Sequence, residues 1–168
     1  AALAYWQAIE CVIDRNPADK THIEFAAIIE SGHSVQLDNK AIEAIRRSGL
    51  ALYFVHRGSR MGQCNWGLAM DECGPAAEQG HLAQSPKLIG ALCLRARHYL
   101  ERGEHQAAVN DLIAALRFAK HLGNDGRDGT RALIAQFAAE KKIIEIAALH
   151  PSDFAPTLCE QLAAELGP

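Results

Sequence analysis

Long apolar runs, aromatic residues and an excess of charge of either sign are what this sequence has little of. No apolar stretch approaches the roughly 20 residues that cross a bilayer as a helix, so no membrane span is expected. Aromatics make up 6% of the chain, and β-branched or aromatic runs of period two are absent, which argues against sheet. The net charge is −3, too small for a bulk field favouring nucleic acid or an anionic membrane. Arg57, Arg60, Arg95, Arg97 and Arg102 make a basic middle, but no aromatics interleave with them for bases to stack on. A nucleic-acid partner is therefore not expected.

Signatures of chemistry are equally scarce. There is no Gly-x-Ser-x-Gly elbow. Gly58-Ser59-Arg60-Met61-Gly62 lacks the lysine of a phosphate loop. No His-x-x-x-His pair supplies two metal ligands from one helix face; His98 and His105, which bracket Gly103, are the first to test for a metal. Asn124-Asp125-Gly126-Arg127-Asp128-Gly129 lacks the spaced carboxylates and terminal Glu of a calcium loop. No catalytic residue, metal site or cofactor is assigned.

What is present is an apolar fraction of 49% over 168 residues, rich in alanine and leucine. That suits one all-helical domain over residues 1–168, with an irregular connection at about 57–84. The clearest stretch is Ser85 to Gly123. Pro86 suits a first helical turn with Ser85 as its cap, and Leu88, Leu92, Ala96, Tyr99 and Leu100 make one apolar stripe to Arg102. Gly103 ends that helix. A second helix follows from about Glu104 to His121, with a stripe of Ala108, Leu112, Ala115, Leu116 and Ala119. So short a turn forces the pair antiparallel, and the alanines let the axes approach.

Further helices are expected at Ala1–Ile13 (Leu3, Trp6, Ile9 and Ile13 on one side, with Tyr5 and Trp6 as anchors) and at Ala18–Glu30. Another is expected as one helix at about Asn39–Arg57, capped by Asp38, with Ile42, Ile45, Leu52 and Val55 inward. Short helices are expected near Trp66–Glu72 and Pro75–Leu82. A long helix capped by Thr130 should reach about Leu149, its stripe being Leu133, Ile134, Phe137, Ile144 and Ala148. The last segment, to about Leu166, should dock as a lid on it.

Of the five cysteines, Cys93 and Cys159 are expected in the core. Cys64 and Cys73 flank Trp66 and are the candidate disulfide if the compartment is oxidising. Cys64 with His56 or His81 would be the arrangement for thiol chemistry.

On Ala96, Tyr99, Gly103, Ala108, Ala115 and Leu116, the pair at 86–123 resembles one tetratricopeptide repeat. It departs from that repeat at Arg95, His105 and Lys120, where an apolar residue, an aromatic and a proline are usual. The resemblance implies antiparallel helix pairs stacked as a short α-α superhelix, a tetratricopeptide-like architecture. The succession Tyr5-Trp6-Gln7-Ala8, Cys64-Asn65-Trp66-Gly67-Leu68 and Gly74-Pro75 before that pair resembles a group of uncharacterised helical proteins of planctomycete-type bacteria. Those chains often begin with a signal peptide, which implies an exported or periplasmic location, with a cytoplasmic one as the alternative. The functional expectation is a non-catalytic interaction or scaffold module with a protein partner, within a larger assembly. Its candidate contact residues are Arg95, His98, Arg102, Asn110 and Arg117. The alternative is a small redox or metal-binding protein, or an enzyme subunit, using the Cys64/Cys73 region and nearby histidines.

Overall fold

The computed structural model describes residues 1–12, 37, 39–67, 80–123, 129–149 and 156–166. Among these residues all regular structure is helical, in seven helices. They are α1 (Ala2–Val12), α2 (Asn39–Arg47), α3 (Gly49–Ser59), α4 (Gly80–Glu101), α5 (His105–Gly123), α6 (Gly129–Leu149) and α7 (Pro156–Leu166). The expected helix at Ala18–Glu30, the Asp38 cap, Cys73 and most of the two short helices expected between Trp66 and Leu82 lie outside the described residues.

Helices α4 and α5 are antiparallel neighbours, and the turn between them shows why. Gly103 sits at φ 72°, where a Cβ would be strained. Its N–H donates to the Leu100 carbonyl at 2.9 Å, and the Glu104 N–H donates to the Tyr99 carbonyl at 2.8 Å. That pair of bonds is a Schellman cap, which satisfies carbonyls left open at the end of α4. Ala96, Ala108, Ala115 and Ala119 are fully buried, so small side chains line the seam.

Helix α5 is the centre of the fold and packs on α3, α4, α6 and α7. Helix α1 lies across α3 and α4. One buried cluster draws on all seven helices through Tyr5, Ala41, Leu52, Leu92, Leu116, Ile143 and Leu162. At the α1–α3 crossing Gly58 meets the Tyr5 ring, and a Cβ there would stand 2.5 Å from it.

Several sequence expectations are corrected. Helix α4 begins at Gly80, so Pro86 is interior and not in the first turn. Pro86 cannot donate to the Leu82 carbonyl, and the Ser85 hydroxyl donates there instead, at 2.9 Å. The segment Asn39–Arg57 is two helices that meet at Ser48. The Ser48 hydroxyl back-bonds to the Ala44 carbonyl at 2.9 Å, a contact that bends helices. Trp66 and Gly67 are not helical. In α1 Leu3 faces solvent, and the buried face runs through Tyr5, Ala8, Ile9 and Val12. Ile42 is likewise exposed. Cys159 is exposed between the buried Leu158 and Leu162, whereas Cys93 is in the core. Helix α7 docks on α5 through those two leucines.

The largest correction concerns α6. Its expected stripe of Leu133, Ile134, Phe137, Ile144 and Ala148 points to solvent. The face that packs on α4 and α5 carries Ala132, Ala139, Ile143 and Ile146. Two alanines on that side let the helix approach closely, which the bulkier stripe would prevent.

Two glycines should respond oppositely to substitution. Gly58→Ala is expected to cost about 1–3 kcal/mol, because the Tyr5 ring must move. Gly49→Ala, with nothing within 4 Å of the added Cβ, should be neutral or stabilising by up to about 1 kcal/mol. Urea midpoints of the two variants check both.

Candidate functional site

Helix α5 carries one acidic side chain on its buried stripe, Asp111, which is 2% exposed. A carboxylate in such a place needs charged or hydrogen-bonding partners. Two neighbouring helices supply them. Arg95 of α4 donates from Nε to Oδ2 at 2.7 Å and from Nη2 to Oδ1 at 2.6 Å, a two-pronged grip. His56 of α3 stands with Nε2 2.6 Å from Oδ1 and 3.0 Å from the same Arg95 nitrogen. An ionised carboxylate only accepts, so at that distance the His56 Nε2–H is the donor to Asp111. Burial opposes the charge on Arg95, but the hydrogen bonds and charge of Asp111 more than offset this, with a smaller contribution from Tyr99, so its pKa rises. Its guanidinium also lies 5.9 Å from the centre of the Tyr99 ring.

A carboxylate beside an imidazole can orient a general base. Here the guanidinium takes both oxygens of Asp111 and the imidazole shares one of them. The triad therefore acts as a clamp between α3, α4 and α5.

A second cluster closes the other end of α5. Trp66 is buried, and its indole N–H donates to the His121 carbonyl at 2.9 Å, one of the last carbonyls of the helix. Its ring stacks on His81 at 4.4 Å, with Trp6 edge-on at 5.9 Å. The Tyr5 hydroxyl meets Nδ1 of His121 at 2.7 Å. Burial is the main cause that raises the Tyr5 pKa, so the phenol stays protonated. Burial, then the N-terminal charge and Arg117, lower the His121 pKa. Burial also lowers His81, to about 4. The Tyr5 and Trp6 anchors read from the sequence are therefore both in this cluster.

Beside it opens a cleft of about 400 Å³ bordered by Arg60, Arg117, Lys120 and His121. Arg117 is not free to serve it fully, because Glu165 of α7 pairs with it. That contact lowers the Glu165 pKa and raises that of Arg117.

The five candidate contact residues do not converge. Arg95 is committed to Asp111. His98 is half-buried next to Tyr99. Arg102 pairs with Glu104 at 2.6 Å in the exposed turn. Asn110 is exposed and accepts from Gln106 at 3.2 Å. Arg117 borders the cleft beside His121. Cys64 is half-buried, and its candidate partner Cys73 lies outside the described residues. Burial pushes the Cys93 thiol up to about 12. Among the described residues no three side chains of His, Cys, Asp or Glu come together to hold a metal.

Sequence reasoning named His56 only as a possible partner of Cys64, and it missed Asp111. A signal was present: Asp111 continues the buried spacing Ala108, Asp111, Ala115, Phe118, Leu122, and Arg95 departs from the repeat pattern with the opposite charge. The most exposed apolar surface on the long helices is the outer face of α6, where Ile134 and Phe137 are each 62% exposed, with Leu133 and Ile144 beside them.

No protein-family model matches this chain, and neither does a curated protein or a solved structure. The resemblances drawn from its motifs rest on those motifs alone.

Asp111→Ala is expected to cost about 3 kcal/mol, since it leaves Arg95 without its counter-charge. The double change Arg95→Met with Asp111→Leu should cost less, and urea midpoints decide. Stability should also fall as the pH drops from 6.5 toward 4. In that window the unfolded chain binds a proton that buried His81 refuses, at about 1.4 kcal/mol per pH unit, and His121 adds in the same direction. Thermal melts at pH 7, 5.5 and 4.5 measure it.

Proposed function

We propose that this chain is a non-catalytic helical interaction or scaffold module that docks a protein partner on the outer face of α6. The observation that carries the reading is that α6 is apolar on two opposite faces while only one of them packs on the fold. Contiguous exposed apolar side chains on a helix mark an interaction surface.

The architecture supports the same reading. The α4–α5 pair is built like a single tetratricopeptide-like unit, with its glycine turn and alanine seam. Helix α6 lies against both members, as the first helix of a following pair does in a short α-α superhelix. Its outer face then takes the place where such a stack continues or receives a partner. The buried polar triad contributes by rigidity, holding α3, α4 and α5 in one frame, and not by contact.

A photo-crosslinking side chain at position 137 tests this in the native source. It should give a protein adduct that Ile144→Asp abolishes, whereas the same probe at exposed Asn110 should give none. No adduct at 137, or one indifferent to Ile144→Asp, would overturn the reading.

A further inference from the structure

The outer face of α6 has an internal symmetry. On that face Leu133 and Ala148, and Phe137 and Ile144, lie equally far on either side of a midpoint between residues 140 and 141. Glu140 and Lys141 flank the same midpoint and carry opposite charges. The charges are placed to be used: Lys141 is 78% exposed, reaching Glu145 of its own helix only at 3.8 Å. Glu140 is half-buried at the edge of that face and accepts from Gln136 at 2.7 Å.

A helix with that pattern is complementary to itself turned end for end. Resting on the interaction reading above, we infer that the partner of this face is a second copy of the chain, with the two α6 helices antiparallel about a two-fold axis at that midpoint. Phe137 then faces Ile144 of the partner subunit, and Leu133 faces Ala148 of the partner subunit. Glu140 faces Lys141 of the partner subunit, and the same pair repeats across the axis. Such an interface is isologous and closes on itself, so it gives a dimer and no filament. A parallel arrangement would set Glu140 against Glu140 and Lys141 against Lys141, which repel. The charges therefore select the antiparallel arrangement.

Sedimentation equilibrium of the full chain tests the inference. The wild type should show a concentration-dependent doubling of mass, and Phe137→Glu should be monomeric with an unchanged helical circular-dichroism spectrum. Glu140→Lys and Lys141→Glu should each weaken the dimer by about tenfold or more, because each sets like charges across the axis twice. Mixing those two variants should restore dimerisation, since every facing pair is then again opposite in charge. A wild type that stays monomeric up to its solubility limit, a dimer indifferent to Phe137→Glu, or no rescue on mixing would overturn it. A monomeric wild type whose position-137 probe still gives a different protein's adduct would overturn self-pairing and leave the interaction reading standing.

Discussion

A carboxylate inside a helix bundle constrains everything around it. Asp111 sits on a helix that other helices cover on most sides, so it cannot reach bulk water for its charge. It can be held only if α4 and α3 each bring a donor to within hydrogen-bond distance. Those donors tie α3, α4 and α5 to one another at a single buried point. Alanines at the α4–α5 seam set how close the axes lie, and the Arg95–Asp111–His56 triad sets their register.

The other end of α5 is held by aromatic rings instead of charge. Trp66 brings an irregular segment to a helix end whose carbonyls need donors, and its indole N–H supplies one. From α1 the Tyr5 hydroxyl hydrogen-bonds the His121 ring. Burial lowers the pKa of both His81 and His121, so this end holds better at neutral pH than in acid. The glycine at position 58 belongs to the same construction, since only a missing Cβ lets the Tyr5 ring lie against α3.

The hairpin around Gly103 was legible because its causes are local: apolar spacing of 3.6 residues, small residues at the seam, and a glycine where the chain turns left-handed. Pro86 misled for an equally local reason. A proline usually marks a first turn, and only the Ser85 hydroxyl, filling the acceptor that proline abandons, allows it inside. Cys159 and Leu3 show the limit of periodicity, which says that a side chain is apolar but not that something covers it. Arg95 stood out only as a departure from the repeat pattern, and Asp111 went unremarked; their pairing was not legible, because they are 16 residues apart on different helices.

Taken by itself, the sequence settled that the described chain is helical and where its sharpest turn falls, since backbone preference and hydrophobic spacing act over a few residues. Which face of α6 goes inward was decided only in three dimensions. Both faces are apolar, and the choice went to the side whose alanines fit against α4 and α5. The bulkier stripe was left outside for the same steric reason, and it is there that a partner's surface would have to lie.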